Sequence, residues 1–120
     1  MSVIDKLYAA LSGANEAQIR KVAAATLSEQ VKWSACHPVN DLAGVFSVVD
    51  DFLLPLIQAM PDLERKPFIH IPGDFQGEQW IAGTGYLIGT FSAPLFGIPA
   101  TGKTLYLRYS ELVRVENDRI

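Results

Sequence analysis

Gly97-Ile98-Pro99-Ala100-Thr101-Gly102-Lys103-Thr104, followed by Leu105-Tyr106-Leu107-Arg108-Tyr109-Ser110-Glu111-Leu112-Val113-Arg114-Val115, decides the fold. The first eight residues satisfy G-x-x-x-x-G-K-T, the pattern of a phosphate-binding loop. Such a loop needs a helix directly after Lys-Thr, so that free backbone amides point at the phosphates. Residues 104–115 instead alternate with a period of two. Leu105, Leu107, Tyr109, Glu111, Val113 and Val115 fall on one face, with Thr104, Tyr106, Arg108, Ser110, Leu112 and Arg114 on the other. The stretch therefore reads as a Gly-Pro loop entering a strand, and only 16 residues follow Thr104, too few for the parallel strand of a nucleotide hydrolase. Glu111 is the one charge on the apolar face. It is a candidate proton donor or acceptor, or one half of a structural ion pair with an arginine.

Working toward the N-terminus, residues 79–102 carry no charge for 24 positions, long enough on length alone to span a bilayer. Five glycines and two prolines within them rule out a continuous helix and point to a buried strand and a turn-rich loop. Extended segments are expected at 64–72, 78–92 and 103–115, the first two separated at Gly73-Asp74. Before them, Val45, Val48, Val49, Phe52, Leu53, Leu56, Ile57 and Met60 recur at helical spacing, predicting a helix over 43–60 that kinks or restarts at Pro55. Residues 31–37 alternate as a strand that carries His37 at its end, just before Pro38. Two short helices open the chain, with Ser2/Asp5 and Asn15/Gln18 spaced as capping boxes. The order ααβαβββ predicts one α+β domain over residues 1–120, a curved antiparallel sheet wrapped around N-terminal helices.

The 120 residues suffice for one core, and 10 Lys+Arg against 13 Asp+Glu, a net charge of −3, argue against a nucleic-acid or anionic-membrane surface. The lone Cys36 excludes an intrachain disulfide and a cysteine-based zinc site, which fits a reducing cytoplasm. No spaced ligand set suggests a metal, and no cofactor is expected.

His37 shares its strand face with Val31, Trp33 and Ala35. At the rim of an apolar surface it reads as a general acid or base, or as a histidine satisfied by a backbone carbonyl. Asp62, after Pro61, caps the helix-to-strand turn or has a chemical role. Trp33, Phe52, Trp80, Tyr86 and Tyr109 line a ligand pocket or are plain core. His70 alternates with Phe68, opposite Ile69 and Ile71, and reads as a surface or interface residue.

Trp33 with His37-Pro38, Asp41-Leu42-Ala43-Gly44, Pro55 to Leu63, Gly89-Thr90-Phe91, Gly97 to Lys103 and Arg114 to Ile120 together resemble the SnoaL-like polyketide cyclase family of the nuclear transport factor 2 superfamily. The resemblance implies a cone-shaped fold around an apolar pocket, a small apolar or aromatic ligand, and cofactor-free acid-base chemistry, a cyclase or isomerase acting on a carbonyl substrate. It is similar to ketosteroid isomerase in that His37 stands before Pro38-Val39 where that enzyme has its catalytic Asp. Family members continue past the Arg-Ile element with a strand bearing a further inward Asp. The sequence here ends at Ile120, so the expectation is a domain truncated at its C-terminus, or a strand edge covered by a partner or swapped segment. The apolar outer positions Tyr106 and Leu112, with the 78–92 segment, predict a homodimer. The competing expectation is a non-catalytic ligand-binding or dimerisation module on the same fold.

Overall fold

The computed structural model describes residues 2–36 and 38–120; His37, the expected acid or base, lies outside the described residues. Helices α1 (Val3–Ala9) and α2 (Glu16–Thr26) each start at the expected capping box. The Ser2 hydroxyl accepts from the Asp5 amide, and the Asn15 side chain accepts from Gln18, satisfying amides that a helix start leaves free. A short hairpin follows, β1 (Lys32–Ser34) with β2 (Asp41–Ala43), paired through Trp33 and Leu42. The expected 31–37 strand is thus cut to three residues. Strand β2 was not expected, because its three residues are too few to show a period.

The helix predicted over 43–60 is realised as α3 (Val45–Val48), a π-helical stretch Val49–Leu53 and α4 (Leu54–Ala59). Pro55 supplies the reason. It has no N–H to give the carbonyl four residues earlier, and its ring crowds that carbonyl. The chain widens by one residue just upstream, the Leu54 amide donating to the Val49 carbonyl, and α4 restarts with proline in its first turn.

Strands β3 (Glu64–Phe75), β4 (Glu78–Thr90) and β5 (Thr104–Val115) form an antiparallel sheet in the order β3-β4-β5. The β3-β4 turn is Gln76-Gly77, both with positive φ, three residues beyond the expected Gly73-Asp74. Strand β3 carries a bulge between Pro67 and Ile69, whereas β4 and β5 pair without interruption from Gln79–Val115 to Thr90–Thr104. Among the described residues the other edge of β5 pairs with no strand, and the β1-β2 hairpin stays separate. No barrel closes. The resulting α+β architecture agrees with the fold class read from the sequence.

The G-x-x-x-x-G-K-T stretch is the β4-β5 loop, closed by a bridge between Leu95 and Ile98 and running directly into β5. The core lies under one half of the sheet, where Leu7, Leu11, Ile19, Leu27, Val48, Val49, Leu53 and Met60 are almost inaccessible and pack with Leu87 and Val113. The other half of the sheet overhangs the helices, in a molecule 45 × 28 × 25 Å across.

Gly85 marks where backbone and side chains meet most closely. A Cβ there would collide with the Lys66 carbonyl oxygen and lie 2.8 Å from the Tyr109 hydroxyl and 2.9 Å from the Pro67 Cα. Gly85→Ala is expected to lower unfolding free energy by about 1–3 kcal/mol, as overpacked substitutions do. Urea denaturation followed by circular dichroism measures it, and an unchanged midpoint would mean that β3 moves aside freely.

Candidate functional site

Paired residues share a sheet face, so the register orders the concave face into rows. From the core outward these are Arg65-Leu87-Leu107, Pro67-Gly85-Tyr109, His70-Gly83-Glu111, Pro72-Ile81-Val113 and Asp74-Gln79-Val115. The alternation read along 104–115 holds, with Glu111 on the inward face.

Arg65 dominates this face. Its Nη1 and Nη2 donate to the two Glu111 carboxylate oxygens at 2.8 and 2.7 Å, and its Nε donates to Asp5 Oδ1 at 3.1 Å. The guanidinium lies between two aromatic rings, 4.3 Å from the centroid of Tyr109 and 4.9 Å from that of Tyr8. Its side chain is only 8% exposed. Burial opposes its charge, but the fork onto Glu111 and the bond to Asp5 more than compensate and raise its pKa. Burial likewise pushes the Tyr8 and Tyr109 hydroxyls up, so both stay protonated. The Tyr109 hydroxyl oxygen is buried with no hydrogen-bond partner among the described residues. Asp5 feels burial as well, yet hydrogen bonds from Ser2 and Arg65 outweigh it and hold its carboxyl below the usual value.

Beyond this cluster a cleft of about 630 Å³ opens between the helices and the overhanging half of the sheet. Pro72, Ile81 and Val115 give it an apolar floor, while Val3, Lys6 and Thr26 line the opposite wall. Glu111 stands one row inside that floor.

The other expected site residues separate. Asp62 accepts from the Thr90 amide and hydroxyl, both at 2.8 Å, and these bonds lower its pKa; it tethers the start of β3 to the end of β4. Trp33 packs on Phe52 at 5.3 Å, against the core. Tyr86 lies on the convex face, edge-on to Phe68 and Tyr106 with Arg108 over its ring. Trp80 pairs across to Arg114 in a row of the outer face, yet it is among the residues lining the cleft, as expected of a pocket aromatic, and its Nε1 is buried without a partner among the described residues. Of the five aromatic candidates Tyr109 joins the Arg65–Glu111 cluster and Trp80 lines the cleft. Sequence reasoning missed Arg65, which sits one residue inside a charged run; His70, expected as a surface or interface residue, is exposed, and the bulge puts it in register with Gly83.

No family model matches the sequence, and neither does any curated protein. Solved structures do match. A protein ascribed to the SnoaL-like polyketide cyclases from Jannaschia sp. CCS1 superposes with a TM-score of 0.74 at 19% identity, over 98% of this chain and 76% of that one. The chain has the SnoaL-like fold. One from Pseudomonas putida KT2440, ascribed to the polyketide cyclases, gives 0.68 at 16% identity over 99% and 86% of the two chains. An NTF2-like protein of unknown function from Exiguobacterium sp. 255-15 gives 0.65 at 11% identity, over 98% and 89%. At these identities the likeness speaks for the fold, as the residues at 89–120 suggested. In this chain the space between α1 and the sheet is filled by Tyr8, Arg65 and Tyr109, and the open volume lies farther out.

Breaking the ion cluster has a defined signature. Arg65→Met leaves Asp5 and Glu111 facing each other unpaired and is expected to cost about 3 kcal/mol at neutral pH. Because the folded-state pKa of Asp5 is depressed, its stabilisation is complete above its ordinary value of 3.8 and is lost as pH falls through the folded value. The gap between wild type and variant should therefore narrow below about pH 4 in urea titrations. A gap that stays constant down to pH 2 would assign the cost to packing instead.

Proposed function

We propose that this chain is a cytoplasmic small-molecule protein of the SnoaL-like kind, taking an apolar or aromatic carbonyl compound into the cleft. There it acts as a cofactor-free cyclase or isomerase. The observation that carries the reading is Glu111, a carboxylate fixed by Arg65 one row from the apolar floor that would hold the ligand's rings. A carboxylate that accepts a proton from the carbon next to a carbonyl leaves an enolate. That enolate regains a proton elsewhere in an isomerisation, or attacks a second carbonyl in a ring closure. Asp62, held by Thr90, is a structural residue on this reading. His37 enters it through the sequence reading alone. The descriptions of the Jannaschia and Pseudomonas proteins support a polyketide-like ligand.

A second reading, binding without turnover, is favoured by the convex face. Phe68, Ile69, Ile71, Tyr106 and Leu112 are each at least half exposed and occupy adjacent rows there. At about 100 Å² each they form a patch of roughly 500 Å². That is at the upper end for a monomer and over half of the roughly 800 Å² per partner of a stable complex. We assign this face to a second copy of the chain.

Native mass spectrometry of the purified protein is expected to show one small molecule retained per chain. His37→Gln should keep the far-ultraviolet circular dichroism of the wild type and lose turnover of the identified ligand, and Glu111→Gln, which leaves Arg65 with Asp5 as its one carboxylate partner, should lower the melting temperature as well as lose turnover. Full activity in both variants would leave the binding reading alone. Light scattering should give a dimer at micromolar concentration and a monomer for Leu112→Asp; a monomeric wild type would reject the convex interface.

A further inference from the structure

We propose that Arg119 is a positioning residue for the cleft, fastening the end of β5 to the last turn of α2 so that the slot is already shaped for its ligand. The inference rests on the reading of the cleft as a ligand site. Helix α2 ends Ala23-Ala24-Ala25-Thr26 with no basic residue in its last turn, and its cap, Leu27, is extended with no glycine behind it. Its final carbonyls therefore lack the local partners that often satisfy a helix end. Residues beyond β5 supply them. Arg119 Nη1 donates to the Ala24 carbonyl at 2.8 Å and reaches that of Leu27 at 3.4 Å, and the Ile120 amide donates to the Thr26 carbonyl at 2.9 Å. The Ser28 amide donates in return to the Ile120 carbonyl at 2.8 Å.

The turn that aims Arg119 is itself fixed. Asn117 and Asp118 both take positive φ, and Glu116 and Arg119 exchange backbone bonds of 2.8 and 3.0 Å across them, closing a two-residue hairpin turn. Ala25 and Thr26 line the cleft from the helix side, and Val115 and Asp118 line it from the strand side. These bonds thus tie the two walls together at the outer end of the cleft, as Arg65 ties α1 to the sheet at the inner end. The charge suits the place, because carbonyls at a helix C-terminus carry a partial negative charge that a guanidinium complements. A ligand entering a slot fastened at both ends has no wall to order as it binds, which preserves affinity. Arg20, by contrast, bonds Asp50 at 2.6 Å from the first half of α2 and is not among the residues lining the cleft.

Amide hydrogen exchange and fluorescence titration with 2-naphthol, a planar aromatic probe, test the fastening in the full chain. Wild type is expected to bind the probe and to protect the Ile120 and Ser28 amides. Arg119→Gln, on an exposed side chain, should keep the wild-type far-ultraviolet circular dichroism. Its Ile120 and Ser28 amides should exchange about tenfold faster, the worth of one hydrogen bond from a charged group, while those of β4 keep their rates. Its affinity for the probe should fall about fivefold. Arg119→Lys, which retains a cationic donor for the carbonyls, should recover most of that affinity, and Arg20→Gln should bind like wild type. Equal probe binding by wild type and Arg119→Gln, or equal exchange at Ile120 and Ser28, would overturn the role of Arg119 and leave the cleft reading standing. A loss in Arg20→Gln as large as in Arg119→Gln would overturn it too, by assigning the effect to general loosening of α2. No binding by wild type would overturn the cleft reading and this role with it.

Discussion

Arg65 is the residue on which the interior depends. One guanidinium joins α1 to both edge strands, bonding Asp5 on the helix and Glu111 on β5 from its own place on β3. Tyr8 and Tyr109 close over its two faces, which gives the charge an electron-rich environment in place of water. A buried arginine without these partners would be strongly destabilising, so the five residues stand or fall together. This requirement also explains Gly85: the Tyr109 hydroxyl lies where a Cβ would otherwise project.

Much of this architecture was legible because it rests on local rules. Two capping boxes announced two helices, and the alternation along 104–115 put Glu111 inward and allowed an arginine as its partner. Pro55 announced a disturbed helix, although the chain answered with a π turn before the proline. What escaped the sequence follows from pairing rather than composition. A bulge adds one residue to one strand, and no residue type marks it, so every face assignment beyond Phe68 on β3 inverts. The side that His70 takes, which the sequence left open, is set by that pairing. The aromatic candidates scattered for a similar reason, since ring count says nothing about which face of which strand a ring occupies.

The same glycine-rich chemistry that imitates a nucleotide site has another use here. Gly97 and Gly102 take positive φ in a tight loop, while Gly83 and Gly85 leave consecutive rows of the concave face without side chains on the central strand. One row is filled by Tyr109, and in the other a Cβ on Gly83 would come within 3.1 Å of the Ile69 carbonyl oxygen. A strand poor in side chains at its centre lets its neighbours' longer groups lean over it, and the ionisable residues of β3 and β5 thereby face one another.

The two borders of the sheet are chemically unlike. Strand β3 places Pro67 and Pro72 along its length and a bulge beside the first, so its backbone offers an interrupted row of donors. Strand β5 has no proline between Thr104 and Val115, and its pairing with β4 is regular throughout. Extension of this sheet therefore has a direction: an added strand finds a continuous backbone template at β5 and a broken one at β3. The polarity is written into two imino acids on one strand, and it makes β5 the better backbone template for lateral assembly of the sheet.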